Sequence, residues 1–306
     1  SKGLITAEKW REFCAPTVAL LRYEKSSYFS NEIFTGKAEV YNFSNSTIKN
    51  AKLRWWLTDD TGKVLKKGNL KTQTIANDNV SPVGEFSISL KGITAAKKLT
   101  VHISVNDDIK NSWNIWVYPK NELLMQSTDE VLYTTVYDNA AKQQLAQGKI
   151  VVLCPLPNKV KGRKSVFHNH FWNPIMFAWP PMTIGCLMHN EEPVFNDFTT
   201  SYHTDWQWWD ILNNAKVIEM KDAPRKLRPF IQVIDSYDSN EKLGIGFEAR
   251  VNGGKLLVLA VDTKKDMDKR PATRQLLHSI DNYVKGDKFL PQVDVEESFI
   301  QSFLMK

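Results

Sequence analysis

The chain has 306 residues, a formal net charge of +6 and three cysteines. That length suggests about two domains, and 42% hydrophobic residues supply material for both cores. Lys and Arg are interleaved with Asp and Glu, which argues against a nucleic-acid footprint. Three cysteines without a CxxC pair argue against a disulfide scaffold or a structural zinc, and no apolar run reaches the ~18 residues of a membrane span.

Residues 1–15, SKGLITAEKWREFCA, read as a short helix with Thr6 as N-cap, a lead-in segment from something upstream. The chain begins at Ser1 without Met, which reads as a removed leader or a piece of a longer protein. The expected location is periplasmic or secreted.

From Pro16 the pattern alternates with period two. Seven segments read as strands: 18–23, 33–42, 52–59, 62–68, 85–90, 99–106 and 113–119. Turn residues such as Asp60-Thr61-Gly62 and Asn106-Asp107-Asp108 separate them. In the second segment Phe34, Ala38 and Val40 alternate with Thr35, Lys37, Glu39 and Tyr41, one buried face and one wet. Such a run over 16–120 predicts an immunoglobulin-like β-sandwich, with Trp55, Trp56, Trp113 and Trp116 as core bulk.

Lys120 to Glu130 reads as a linker. The rhythm then becomes strand and helix. VLYTTVYD is followed by the helical NAAKQQLAQG, closing on Gly148, and KIVVLCP is an apolar run suited to a parallel sheet. KVIEM, FIQVIDSY, LGIGFEAR and KLLVLAVD read as further strands, and the helix PATRQLLHSIDNYVKG runs from Pro271 to Gly286. Residues 121–290 therefore predict an open α/β sheet with helices on both faces, flavodoxin-like in type. Residues 291–306 read as a tail, in part a short helix.

Phe167 to Asp210 is the least regular stretch. It holds five of the ten Trp and four of the six His. A long loop rich in Trp and Phe predicts packing by its own side chains. Trp206, Trp209 and Asn213 fall on one helical face and Trp208 on the other. If the first set packs inward, Trp208 presents its ring outward. Aromatic faces beside amides suit carbohydrate, because sugar C–H faces pack on rings and hydroxyls need polar partners. The candidate sugar contacts are Trp172, Trp179, Trp208 and Tyr202, with Asn169, Asn173 and Gln207.

Other chemistry is weaker. Cys154 ends a buried strand, but in Leu153-Cys154-Pro155 the following proline has no N–H to serve an oxyanion hole. His168, His170, His189 and His203 lack the helical i, i+4 spacing of a zinc site and read as polar anchors. Glu191 and Glu192 are adjacent and do not face each other. No residue is assigned as catalytic, none as a metal ligand, and no cofactor is expected.

A set of motifs carries a resemblance. FWN at 171–173, TIGxL at 183–187, EEPxF at 191–195, DWQWWD at 205–210, LRPxIQ at 227–232, FEARV at 247–251, GKLLV at 254–258 and RPAxRQLLxS at 270–279 follow a sandwich ending in WNIWVYP and an opening GLIT. Together they resemble the C-terminal region of bacterial glycosidases similar to the β-galactosidases of glycoside hydrolase family 2. The resemblance covers nearly the whole chain and includes no catalytic motif. It implies that the acid/base and nucleophile glutamates lie in an upstream (β/α)₈ barrel, for which this chain has no room, and that residues 1–15 are the lead-in segment from that upstream catalytic domain. It also implies that residues 121–290 resemble the glutamine-amidotransferase-like fold without that fold's Cys-His-Glu triad. The implied partners are the upstream barrel of the same polypeptide, the carbohydrate substrate of the parent enzyme and, in a homo-oligomer, further copies of the chain. Neither nucleic acid nor membrane is among them. The alternative is an autonomous carbohydrate-binding or protein-contact module.

Overall fold

The computed structural model describes residues 3–120, 125–167, 183–236 and 239–305. The chain divides into two units, Ser1–Lys120 and Asn121–Lys306.

The first unit opens with α1 (Ala7–Arg11), whose N-cap Thr6 accepts a hydrogen bond from the Lys9 N–H. None of its residues is buried. Ten strands follow: β1 (Thr17–Arg22), β2 (Ser27–Phe29), β3 (Ile33–Asn42), β4 (Ile48–Ala51), β5 (Leu53–Thr58), β6 (Val64–Asn69), β7 (Gln73–Ile75), β8 (Asn79–Ser89), β9 (Lys97–Val105) and β10 (Ile109–Tyr118). They form a β-sandwich from a three-stranded sheet ordered β1-β3-β8 and a five-stranded sheet ordered β2-β10-β9-β5-β6, with β4 and β7 paired beside them.

Period-two patterning decides what lies between the sheets. Phe34, Ala38 and Val40 of β3 join Leu53 and Leu57 of β5, Leu99, Val101 and Ile103 of β9, and Ile115 and Val117 of β10 in one core. Trp55 and Trp113 pack against it. Trp55 stacks on Phe86 at 4.7 Å, and Gly68 opposite it has no Cβ because one would sit 2.7 Å from the indole. Of the four Trp expected as core bulk, Trp116 is buried but lies on the opposite face of β10 from Ile115 and Val117, which take the core side, and Trp56 is a further exception. One residue along from Trp55, it projects from the other face of β5, where it stacks on His102 instead. The β9–β10 turn uses Asn106 and Asp107 at φ of 52° and 68°, a left-handed conformation that short polar side chains tolerate.

The second unit contains β11 (Val131–Thr134), α2 (Asn139–Ala146), β12 (Ile150–Leu153), β13 (Gly162–Lys164), β14 (Gly185–Met188), α3 (Trp208–Asn213), β15 (Lys216–Glu219), β16 (Ile231–Ile234), β17 (Leu243–Val251), β18 (Gly254–Leu259), α4 (Pro271–Lys285) and α5 (Glu297–Ser302). One sheet runs β11-β12-β18-β17-β15-β13, with β16 also on β17 and β14 on β16. α2 starts at Asp138, which caps the Ala141 N–H, and Gly148 follows its end at φ 77°.

The flavodoxin-like expectation meets a mixed sheet. Among the described strands of this sheet only the β11–β12 and β12–β18 pairs are parallel; β17 pairs antiparallel with β18, β15 and β16, and β13 and β14 are antiparallel to their partners. The cause is visible in the chain. β17 and β18 are joined by Asn252-Gly253, both at positive φ, which makes a tight hairpin and reverses direction where a crossover helix would have kept it.

The segment read as a tail belongs to this unit's core. Phe299, Ile300 and Phe303 pack with Phe247, Leu256 and Val258, and Val295 donates to the Arg250 carbonyl.

Candidate functional site

Trp208, expected to present its ring outward, is fully buried in the second unit. The apolar set at i, i+3, i+4 and i+7 is Trp208, Ile211, Leu212 and Ala215, and all four are buried. Trp208 meets Phe198 edge-on at 5.3 Å and Phe195 at 6.2 Å, and its Nε1 donates to Thr200 Oγ1 at 2.9 Å. Gln207 is buried as well, its amide donating to the Thr199 carbonyl. Neither side chain is available to a sugar.

The face assigned inward is the exposed one. Trp206 and Trp209 are 57% and 54% exposed, and Tyr202 is 63% exposed. Trp206 precedes the first turn of α3 and leans on Phe167 at 5.2 Å. Tyr202 stands edge-on to His203, at 4.8 Å. His203 is held by a bridge to Leu187. Asn213, exposed one turn beyond Trp209, adds an amide to the same face. Trp172, Trp179, Asn169 and Asn173 lie outside the described residues, as do His168 and His170. Among the described residues no group of three or more His, Cys, Asp or Glu is placed to hold a metal ion.

A second concavity, of about 560 Å³, opens at the carboxyl ends of β11, β12 and β18. Open α/β sheets place ligands at such strand ends. Tyr133, Thr134, Thr135, Cys154, Thr263 and Lys264 line it. Burial pushes the Cys154 thiol up to about 12, against the pull of the Lys264 charge. At neutral pH about one thiol in 10⁵ is then a thiolate. Among the described residues the lining includes no imidazole or carboxylate to serve as its base; Asp281 accepts from the Tyr133 hydroxyl and from Lys285. Cys186 is likewise buried and pushed up to about 12, while Cys14 is exposed. Iodoacetamide at pH 8 is therefore expected to alkylate Cys14 in the native chain and to reach Cys154 and Cys186 only after denaturation, read by intact-mass spectrometry. Native labelling of Cys154 as fast as Cys14 would contradict this reading of the crevice.

Solved structures offer weak likenesses. An alkylpurine DNA glycosylase of Pseudomonas fluorescens is 13% identical with a TM-score of 0.29, over 34% of this chain and 31% of that one. A CARDB domain of Pyrococcus furiosus is 12% identical with a TM-score of 0.26, over 34% of this chain and 94% of that one. A cycloisomaltooligosaccharide glucanotransferase of Paenibacillus is 14% identical with a TM-score of 0.27, over 44% and 19%. The chain thus spans about a third of the first of these and about a fifth of the last, and TM-scores this low leave nothing about this chain resting on them. No curated protein matches the chain. Two family models do: a domain of unknown function, DUF8488, over residues 32–119 within the sandwich, and a second over residues 132–305, nearly the whole of the mixed-sheet unit. The latter covers more than half of the 306 residues, and the chain belongs to the family described as a domain of unknown function, DUF8487.

Proposed function

We propose that the chain is a non-catalytic region of a glycoside hydrolase similar to the family 2 β-galactosidases, and that it supports the parent's barrel, substrate cleft or subunit assembly. The observation that carries this reading is the exposure of Tyr202, Trp206 and Trp209 on one short segment anchored by the buried Trp208. Exposed rings held on a rigid support cost little entropy when they stack on a ligand. The motifs from TIGxL to RPAxRQLLxS add sequence support. The fold is compatible. The sheet orders β1-β3-β8 and β10-β9-β5 follow the A-B-E and G-F-C orders of an immunoglobulin-like sandwich. The parallel edge β11-β12-β18 supports an α/β glutamine-amidotransferase-like assignment for the second unit, with a thiol too basic to act as that fold's nucleophile. The upstream barrel, the parent's carbohydrate substrate, further copies of the chain and a periplasmic or secreted location belong to the same proposal. An autonomous carbohydrate-binding module is the second reading, favoured by the same three rings.

The test is a titration of the chain with lactose and galactose, read on indole N–H resonances, beside a turnover assay with nitrophenyl β-galactoside. Trp206 and Trp209 signals are expected to shift with Kd on the order of 1 mM, about 4 kcal/mol, which one or two stacking contacts supply. The Trp206→Ala/Trp209→Ala double variant is expected to abolish the shifts, and the chain alone to give no turnover. Turnover lost on substituting a single carboxylate of this chain would overturn the non-catalytic reading. Unmoved Trp206 and Trp209 signals would overturn the carbohydrate role.

A further inference from the structure

The first unit has an aromatic surface of its own, on the outer face of its five-stranded sheet. Register places Trp56 between Lys67 on β6 and His102 on β9, with Ser112 of β10 beyond. The adjacent row reads Asn69, Arg54, Ser104 and Lys110 across the same four strands. Four neighbouring strands span three spacings, about 14 Å. A groove of about 620 Å³ lies here, lined by Arg54, Trp56, Lys67, Asn69, Asp107 and Lys110 among others.

Two features make this more than a polar sheet face. The first is that the Trp56 ring is fixed before any ligand arrives. His102 lies parallel to it, with 1° between the planes and 4.8 Å between centroids, and Thr58 Oγ1 holds the His102 Nε2 at 3.0 Å. One face of the indole is thereby covered, and Trp56 lines the groove. The second is the charge. Arg54 is matched by Asp107 at 2.9 Å, which leaves Lys67 and Lys110, both exposed, as positive charge in excess across the groove. A preset indole flanked by an amide, a guanidinium and two ammonium groups suits a ligand with a flat C–H face, hydroxyls and negative charge.

We infer that this outer sheet face binds an anionic oligosaccharide, with a sugar ring stacked on Trp56 and a carboxylate or sulfate group between Lys67 and Lys110. The site lies on a different unit from Tyr202, Trp206 and Trp209 and does not depend on their role.

The experiment is calorimetric titration of the full chain carrying Trp206→Ala/Trp209→Ala, so that the galactose contacts proposed for the second unit do not contribute, with three probes: trigalacturonate, an O-sulfated galactose oligosaccharide and neutral β-1,4-galactotriose. At least one anionic probe is expected to bind with Kd near 1 mM or tighter, and the neutral one about tenfold more weakly. Raising NaCl from 0.05 to 0.5 M shortens the screening length from about 14 to about 4 Å and is expected to remove most of that preference. Lys67→Gln/Lys110→Gln is expected to weaken anionic binding about tenfold and leave the neutral probe unchanged. In that background Trp56→Leu is expected to abolish both. Which anionic probe binds separates carboxylate from sulfate. Should Trp56→Leu fail to fold, as circular dichroism would reveal, the lysine pair carries the test, because both side chains are exposed. No heat from either anionic probe at about 10 mM, equal affinity for the neutral one, or anionic binding indifferent to Lys67→Gln/Lys110→Gln would each overturn the inference.

Discussion

Replacing Trp208 by alanine is expected to cost about 3–5 kcal/mol of stability in the second unit. The side chain is fully buried between Phe195 and Phe198, and Phe195 is in turn edge-on to Phe230. Removing the indole opens a cavity walled by rings that cannot collapse without breaking their own contacts. It also takes the donor from Thr200 Oγ1, although that hydroxyl keeps its bond to the Ser201 carbonyl. Trp208→Phe separates the two terms: a ring remains and the hydrogen bond goes, for about 1–2 kcal/mol. Trp206→Ala is expected to cost under about 1 kcal/mol, because its ring is mostly in solvent and leans only on Phe167 among the described aromatics. Urea denaturation at constant m measures all three. A Trp206 variant costlier than the Trp208 variant would reverse the assignment of inner and outer faces.

That assignment shows what the sequence made legible and what it hid. The faces of DWQWWDILNNA follow from helical spacing. Which face is inward was readable too, from the apolar run Trp208, Ile211, Leu212 and Ala215 against the polar Asn213 beside Trp209. Trp206 and Trp209 are large, yet large rings often remain partly exposed where a surface binds. In the sandwich, alternation located β3, β5, β9 and β10, because each turns alternate residues to the core, although β10 ends in four consecutive buried residues. It missed β2, β4 and β7, each too short for a period to register. Trp55-Trp56 is a case where period two settles the matter: adjacent residues of one strand cannot both enter the core. The second unit's direction changes were harder to read. Apolar runs such as GKLLVL mark burial but not whether a neighbour is parallel, and the Asn252-Gly253 hairpin carries that information in two residues. The tail hides its packing for a related reason. Phe299, Ile300 and Phe303 form a helical stripe only over the length of α5, and their partners Phe247 and Val258 are about 40 to 55 residues away in sequence.

Asp210→Ala is expected to destabilise the second unit by about 3–5 kcal/mol, chiefly through the charge it strands. Arg270 is buried, its side chain 5% exposed, and its Nε lies 2.9 Å from both Asp210 carboxylate oxygens. Its Nη1 donates to the Asp262 and Lys265 carbonyls, while Nη2 is buried with no hydrogen-bond partner among the described residues. Thr273 Oγ1 and Asn214 Nδ2 also donate to Asp210. The carboxylate thereby ties α3 to the first turn of α4, and Arg270 ties both to the turn after β18. Without Asp210 the guanidinium keeps its burial and loses its counter-charge. Arg270→Met should be milder, about 1–2 kcal/mol, because it removes the charge and the unpartnered Nη2 together, fills similar volume and leaves Asp210, whose side chain is 26% exposed, with two donors. This asymmetry separates a stranded charge from simple loss of contacts, for which the two variants would cost alike. Screening gives a second readout: the Asp210→Ala penalty is expected to stay the same between 0.05 and 0.5 M NaCl, since buried pairs are little screened. An Arg270→Met variant costlier than Asp210→Ala, or a penalty that fades with salt, would show that the pair acts as a surface bridge and that α3 and α4 are held by their apolar faces alone.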